Sequence, residues 1–139
     1  MKQLYFICVT LIIFTSSCKS PKEAMQSSTA LYNTKWSLIK IHGNGNEEIV
    51  NTKAFIRFDK EKGSAGGNGS CNSFGSSTTI NANEVSFKNI FSTKMFCEAV
   101  QKIETHFFSR LENANRFGIK EKILSLYHGK ELLLEFSAE

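Results

Sequence analysis

The sequence predicts an α+β domain in which a curled or partly closed antiparallel sheet of about seven short strands packs on one amphipathic helix. Short segments of alternating apolar residues recur between turns rich in glycine and asparagine, as is typical of antiparallel strands. One segment, residues 98–113, instead has apolar residues three and four positions apart, which is helical spacing. The 139 residues are 41% hydrophobic and include one proline, which suits a single compact domain.

The first predicted strand covers residues 35–42. Trp36 and Leu38 alternate on one face, while Ile39 and Ile41 take the other. Apolar residues on both faces predict either a strand that is covered on both sides or a β-bulge.

Further strands are predicted between polar turns. A turn at 43–46 precedes the alternating strand 54–59. Residues 64–75, rich in glycine, serine and asparagine, predict a short strand followed by a tight loop shaped by its glycines. Residues 77–80 and 84–88 then form a predicted hairpin.

The helix at 98–113 has one apolar stripe, formed by Val100, Ile103, Phe107 and Leu111. Glu98 in its first turn and Arg110 near its end suit the helix dipole. Three more strands are predicted after it, at 116–119, 122–128 and 131–136.

Charge and composition exclude several classes of protein. Seventeen basic and 13 acidic residues give a formal charge of +4. The basic residues are spread along the chain without a block of five or six, so nucleic-acid binding has little support. Twelve phenylalanines argue for a folded core over disorder. The composition also excludes collagen, a coiled coil and a multi-pass membrane protein.

The N-terminus reads as an export signal. Lys2 precedes the apolar segment 4–14, which suits a signal-peptide core and is too short for a membrane-spanning helix of about 20 residues. Small residues then end in Cys18, a pattern that resembles a bacterial lipobox. We therefore expect a lipoprotein signal peptide at 1–17 and a lipid on the Cys18 thiol. Ordinary signal cleavage, with Cys18 unmodified, is the alternative.

Residues 18–30 are small and polar, and we expect them to form a flexible tether between the lipid and a domain at 31–139. The acyl chains would hold the protein on a membrane without a spanning segment. The predicted location is the bacterial cell envelope, at the outer membrane.

Two cysteines, Cys71 and Cys97, remain in the predicted domain. In an oxidising compartment, two cysteines are what one disulfide requires, so we expect a bond between them. Such a bond would close a loop of roughly 27 residues and stabilise the fold by about 3.5 kcal/mol in the chain-entropy model. Two buried free thiols or a metal pair are the alternatives, although neither cysteine has a second ligand two to four residues away.

Several segments together resemble the META domain, the HslJ-like family of bacterial envelope proteins. The chain matches the family's G-x-C-N-x-F/Y and T-x-M-x-C segments. Glu104 precedes Phe107 and Phe108, as in the helix of the family. One departure is Ser70, which stands where the family often has glycine. The matching motif residues are Trp36, Gly69, Cys71, Asn72, Phe74, Thr93, Met95 and Cys97. The resemblance covers residues 31–136 and implies a small sheet-and-helix domain of a lipoprotein or secreted protein, in some members linked to heat or antibiotic stress.

No catalytic residue, cofactor site or metal site is predicted. The glycine loop lacks the phosphate-binding patterns, and Asn72 is expected to hydrogen-bond within its own loop. His42, His106 and His128 are scattered over three elements, and no hydrolase motif occurs.

The expected function is that of a membrane-anchored, non-catalytic binding or interaction module. Its partner would be an envelope protein or a small ligand, bound through the sheet surface or the glycine loop. The alternative is a structural or inhibitor-like protein that caps an envelope partner such as a protease.

Overall fold

A computed structural model of the chain describes residues 30–43 and 46–139. In these two ranges nine strands and one long helix occur, and residues 30–31 are also helical. The helix, α1, is Gln101–Asn113. The strands are β1 (Trp36–Gly43), β2 (Asn46–Ile49), β3 (Phe55–Asp59), β4 (Ser64–Asn68), β5 (Ser73–Asn81), β6 (Glu84–Ser92), β7 (Arg116–Lys120), β8 (Ile123–His128) and β9 (Glu131–Ala138).

The nine strands form one antiparallel sheet in the order β2-β1-β3-β4-β5-β6-β7-β8-β9, and β9 also pairs with β1. The sheet therefore closes on itself, with β2 as a short branch on β1. Its weakest seam lies between β6 and β7, which share one residue pair, Glu84 and Arg116. The helix α1 connects these two strands in sequence and packs against β6, β9 and β1.

The core fills the space between the closed sheet and α1. Phe107 and Leu111 of the helix are fully buried, and the Phe107 ring lies 6.3 Å from that of Phe136 on β9. Trp36 is also buried, and its indole N–H donates to the Leu31 carbonyl at 3.0 Å. Burial of large apolar side chains from both layers is the main favourable term in holding the helix on the sheet.

Strand β1 contains the bulge that its sequence allows. The register against β9 shifts between Leu38 and Lys40, so Ile41 turns to the same interior as Trp36 and Leu38, where all three are buried. Since a bulge inserts one residue into a strand, it changes the face to which the following side chains point.

The α+β class and the antiparallel sheet are confirmed, but the predicted count of about seven strands is wrong. The predicted turn at 43–46 overlaps β2, which begins at Asn46 and pairs with β1; residues 44–45 lie outside the described ranges. The sequence of β2, Asn-Glu-Glu-Ile, has no apolar alternation. Pairing with β1, rather than any local pattern, makes it a strand.

The helix is shorter than predicted. Residues 98–100 form a turn, and α1 begins at Gln101. The expected signal peptide at 1–17, with Cys18, and the tether up to residue 29 lie outside the described residues. No helix in the described ranges has the length and apolar character needed to cross a membrane.

Candidate interaction site at the disulfide

A disulfide joins Cys71 to Cys97, with 5.9 Å between their Cα atoms. Cys71 lies in the glycine loop, residues 69–72, between β4 and β5. Cys97 ends the exposed loop, residues 93–97, which leads from β6 towards α1. Of the three states that the sequence left open for this pair, the disulfide is confirmed.

The Asn72 side chain fixes the exposed loop to the glycine loop. Its Oδ1 accepts hydrogen bonds from the backbone N–H of Met95 and the hydroxyl of Thr93, both at 2.8 Å. Its Nδ2 donates to the Met95 carbonyl at 3.0 Å and to Glu104 Oε2 at 2.6 Å. With two acceptor and two donor positions in use, the amide is fully satisfied.

The expectation that Asn72 bonds within its own loop is wrong for its side chain, which reaches across to the exposed loop. Asn68 makes the local contact instead, because its Oδ1 accepts from the Ser70 N–H at 2.8 Å. An asparagine two residues before a turn amide is well placed for that bond.

Glu104 on α1 is the buried acceptor at the centre of the site, with 2% of its surface exposed. Its Oε1 accepts from the backbone N–H groups of Cys71 at 3.1 Å and Asn72 at 2.6 Å, and its Oε2 accepts from the Asn72 amide. A buried carboxylate is tolerated when donors surround it in this way.

Sequence reasoning placed Glu104 in a family motif but gave it no role. The position of Glu104 in the helix could have indicated a buried role. Glu104 lies three residues before Phe107 and seven before Leu111, so it sits on the buried stripe of the helix. A carboxylate on such a face needs buried donors.

Gly69 is required by close packing. A Cβ atom at this position would lie 2.6 Å from Phe108 Cζ and 2.8 Å from Glu104 Oε1. The neighbouring Ser70 has φ +114°, a backbone region that favours glycine, at the position where the family often has glycine.

The structure divides the eight predicted motif residues into two groups. The six at the disulfide gather around Glu104: Gly69, Cys71, Asn72, Thr93, Met95 and Cys97. Phe74 adjoins them through Phe108, whose ring lies 5.3 Å away. Trp36 belongs instead to the core, where its indole N–H donates to the Leu31 carbonyl.

Large apolar side chains are exposed beside this network, a feature that the sequence analysis did not identify. Phe91, Met95 and Phe96 are 70%, 58% and 78% exposed, and we refer to them as the apolar patch. A cleft of about 450 Å³ lies next to it, between the exposed loop and α1. Met95 thus contributes its backbone to the network and its side chain to the surface.

The three histidines lie apart, each with its own partner. His42 Nε2 lies 3.0 Å from Glu135 Oε2, His106 Nδ1 3.5 Å from Glu48 Oε2, and His128 Nδ1 2.9 Å from the Asn113 carbonyl. Among the residues that the structure describes, no three metal-binding side chains come together.

The fold is similar to that of solved structures. An NMR structure of a protein from Burkholderia xenovorans has 19% sequence identity and a TM-score of 0.68, covering 99% of this chain and 97% of that one. A crystal structure of a duf4847 family protein from Bacteroides vulgatus ATCC 8482 has 16% identity and a TM-score of 0.58, covering 79% and 95%.

Among curated protein sequences, none matches this chain significantly. The family model described as META domain matches residues 29–139, which include every described element and all eight motif residues. The chain therefore belongs to the META domain family.

Proposed function

We propose that this protein is a lipid-anchored, non-catalytic interaction module of the bacterial envelope, which binds a partner protein through the exposed loop and the apolar patch. The observation that carries the proposal is the combination of exposed apolar side chains with a fixed backbone. Phe96 is 78% exposed, yet the loop around it is tied down by the disulfide and by Asn72.

Exposed apolar groups of this kind favour binding. Aromatic residues and methionine are enriched in the cores of protein interfaces, and isolated exposed leucines or valines carry less information. A loop that is already ordered loses little conformational entropy when it binds.

The polar groups beneath the patch support a non-catalytic role. The Asn72 amide has all four of its hydrogen-bond positions filled, and Glu104 accepts from three N–H donors. The Asn72 amide therefore has no free position, and the Glu104 carboxylate, with three of its roughly four acceptor positions in use, is 2% exposed. A general base or nucleophile would need a free position facing a substrate.

The anchor is tested by intact-mass spectrometry of the protein from membranes of its native cells. The proposal predicts a chain of 122 residues beginning at Cys18 (139 − 17), with an added acyl mass and a two-hydrogen deficit for the disulfide. A chain that retains Met1, or a soluble chain without lipid, contradicts it.

The interaction is tested by placing a photo-crosslinking amino acid at position 96 in intact cells. A matched control carries it at position 49, because Ile49 is 77% exposed and lies on β2. We expect a discrete adduct with one envelope protein from position 96 alone. Equal labelling from both positions, or none, contradicts the proposal.

The family resemblance adds a proposed stress role, which is tested by measuring whether the protein's abundance rises after heat or antibiotic treatment.

A second candidate function is that of an inhibitor-like protein that caps an envelope protease. The observation that favours it is the backbone hydrogen bonding of the exposed loop.

A further inference from the structure

The backbone of the exposed loop alternates between bound and free residues. Thr93 donates its N–H to the Ser73 carbonyl at 3.0 Å, and Met95 uses both its N–H and its carbonyl on Asn72. The Cys97 carbonyl accepts from Val100 and Gln101 at 3.0 and 2.9 Å. Within the described ranges, the backbone groups of Lys94 and Phe96 have no hydrogen-bond partner.

This alternation is that of an extended strand, where every second residue directs its N–H and C=O to the same side. Here the odd-numbered residues bind the domain, and the even-numbered ones face away from it. The side chains of residues 93–96 are all exposed, and none of residues 93–100 is buried. The loop therefore offers a short unpaired strand edge together with accessible side chains.

We propose that the exposed loop binds like a substrate in the cleft of a serine endopeptidase that prefers aromatic residues. This rests on the proposed function and names the class of its partner. Such enzymes pair their own backbone with the residue before the scissile bond and with the residue two positions earlier. Those positions correspond to Phe96 and Lys94, whose backbone groups are free, and Met95 between them is held by Asn72.

Phe96 is the residue that would enter the specificity pocket. A hydrophobic slot selects a large aromatic side chain, and Phe96 has the largest exposed fraction among the exposed large hydrophobic residues of the described chain. The Phe96–Cys97 peptide bond then lies at the catalytic serine of the enzyme.

The fixed ends of the loop would make the protein an inhibitor instead of a consumed substrate. Hydrolysis of the Phe96–Cys97 bond adds one water and leaves a carboxylate on Phe96 and an amine on Cys97. The disulfide keeps Cys97 attached to Cys71, while Asn72 keeps Met95 in place. The new ends stay adjacent, which favours religation with loss of the water and slows product release.

The proposal is tested with the full-length chain purified in detergent and with α-chymotrypsin as the probe, using a small chromogenic substrate. We expect stoichiometric inhibition. Phe96→Lys should weaken it at least about 100-fold and create inhibition of trypsin, whose pocket selects a cationic side chain. Ile49→Ala, which removes an equally exposed apolar side chain elsewhere, should change neither.

Asn72→Ala provides the second variant, checked for folding by circular dichroism. It should be cut at Phe96–Cys97 at least about tenfold faster than the wild type, because Met95 is released. If Asn72→Ala fails to fold, the change from chymotrypsin to trypsin inhibition in Phe96→Lys tests the proposal by itself. The Phe96 side chain is exposed, so its replacement should not disturb the fold.

Absence of inhibition by the wild type, or inhibition that Phe96→Lys leaves unchanged, overturns the inference. Binding of the wild type to anionic phospholipid vesicles through position 96, without inhibition, also overturns it. A position-96 adduct with an envelope protein that is not a protease would overturn this inference and leave the proposed function standing.

Discussion

Glu104 is the residue on which the position of the exposed loop depends. It is 2% exposed and accepts from two backbone N–H groups of the glycine loop and from the Asn72 amide. Asn72 in turn holds Met95. The helix therefore sets the loop geometry through one carboxylate and one amide.

Replacing Glu104 by glutamine should destabilise the protein by about 2–4 kcal/mol, because the new NH2 group faces the Asn72 donor and leaves both unsatisfied. The midpoint of urea unfolding measures this. Glu112→Gln, on the exposed side of the same helix, should shift the midpoint by less than about 0.5 kcal/mol. Equal effects of the two variants would refute the role given to Glu104.

Gly69→Ala tests the packing of the glycine loop on α1. The added methyl group would meet Phe108 and Glu104 at under 3 Å, and we expect a loss of about 1–3 kcal/mol in the free energy of unfolding. Gly118→Ala is the matched control, since a Cβ atom added there would have Tyr127 Cε2 as its nearest neighbour, 3.8 Å away. A tolerated Gly69→Ala would mean that the loop can move away from the helix.

At the scale of elements, the disulfide and the Asn72 contacts hold the exposed loop at different points. The covalent bond fixes Cys97, and the hydrogen bonds fix Thr93 and Met95. Phe96 lies between these anchors without a contact that covers its side chain.

The double substitution Cys71→Ala with Cys97→Ala should cost about 2–5 kcal/mol of stability, in keeping with a closed loop of roughly 27 residues. Thermal unfolding of the oxidised wild type against the double variant measures it. An unchanged unfolding temperature would show that the bond constrains neither the folded nor the unfolded chain.

The turn between β3 and β4 gives a prediction about pH. The Lys62 backbone N–H donates to Asp59 Oδ1 at 3.0 Å, and the Lys62 ammonium lies 3.0 Å from Oδ2. These contacts, the backbone hydrogen bond first, hold the pKa of the Asp59 carboxyl below its ordinary value of 3.8.

Because the folded pKa is the lower one, Asp59 contributes its stability above pH 3.8 and loses it as the pH falls through the folded value. NMR titration of the Asp59 carboxyl carbon should place its midpoint below 3.8, and below that of the same residue in Lys62→Ala. A midpoint at or above 3.8 would contradict these contacts.

At the scale of the whole molecule, sequence patterns predicted the elements whose formation depends on neighbouring residues. Alternation predicted β3 and the C-terminal hairpin. Ile39 and Ile41 predicted either a strand covered on both sides or a bulge in β1, and the structure has the bulge. Cysteine number predicted the disulfide. The strands and the bulge depend on residues that are close in sequence, and the disulfide was predicted from the number of cysteines.

Features that depend on distant pairing could not be read in the same way. The strand β2 forms because β1 supplies a neighbour, and ring closure requires β9 to meet β1. Asn72 has short-range partners available in its own loop, but Glu104 and Met95, both more than 20 residues away, compete successfully for its side chain.

Amide hydrogen exchange across the exposed loop tests most directly the claim that a rigid support presents freely accessible residues. The account predicts that the Met95 N–H exchanges at least about 100-fold more slowly than those of Lys94 and Phe96, since it alone of the three is hydrogen-bonded. Equal, unprotected exchange at all three amides would contradict it and remove the basis for the proposed binding surface.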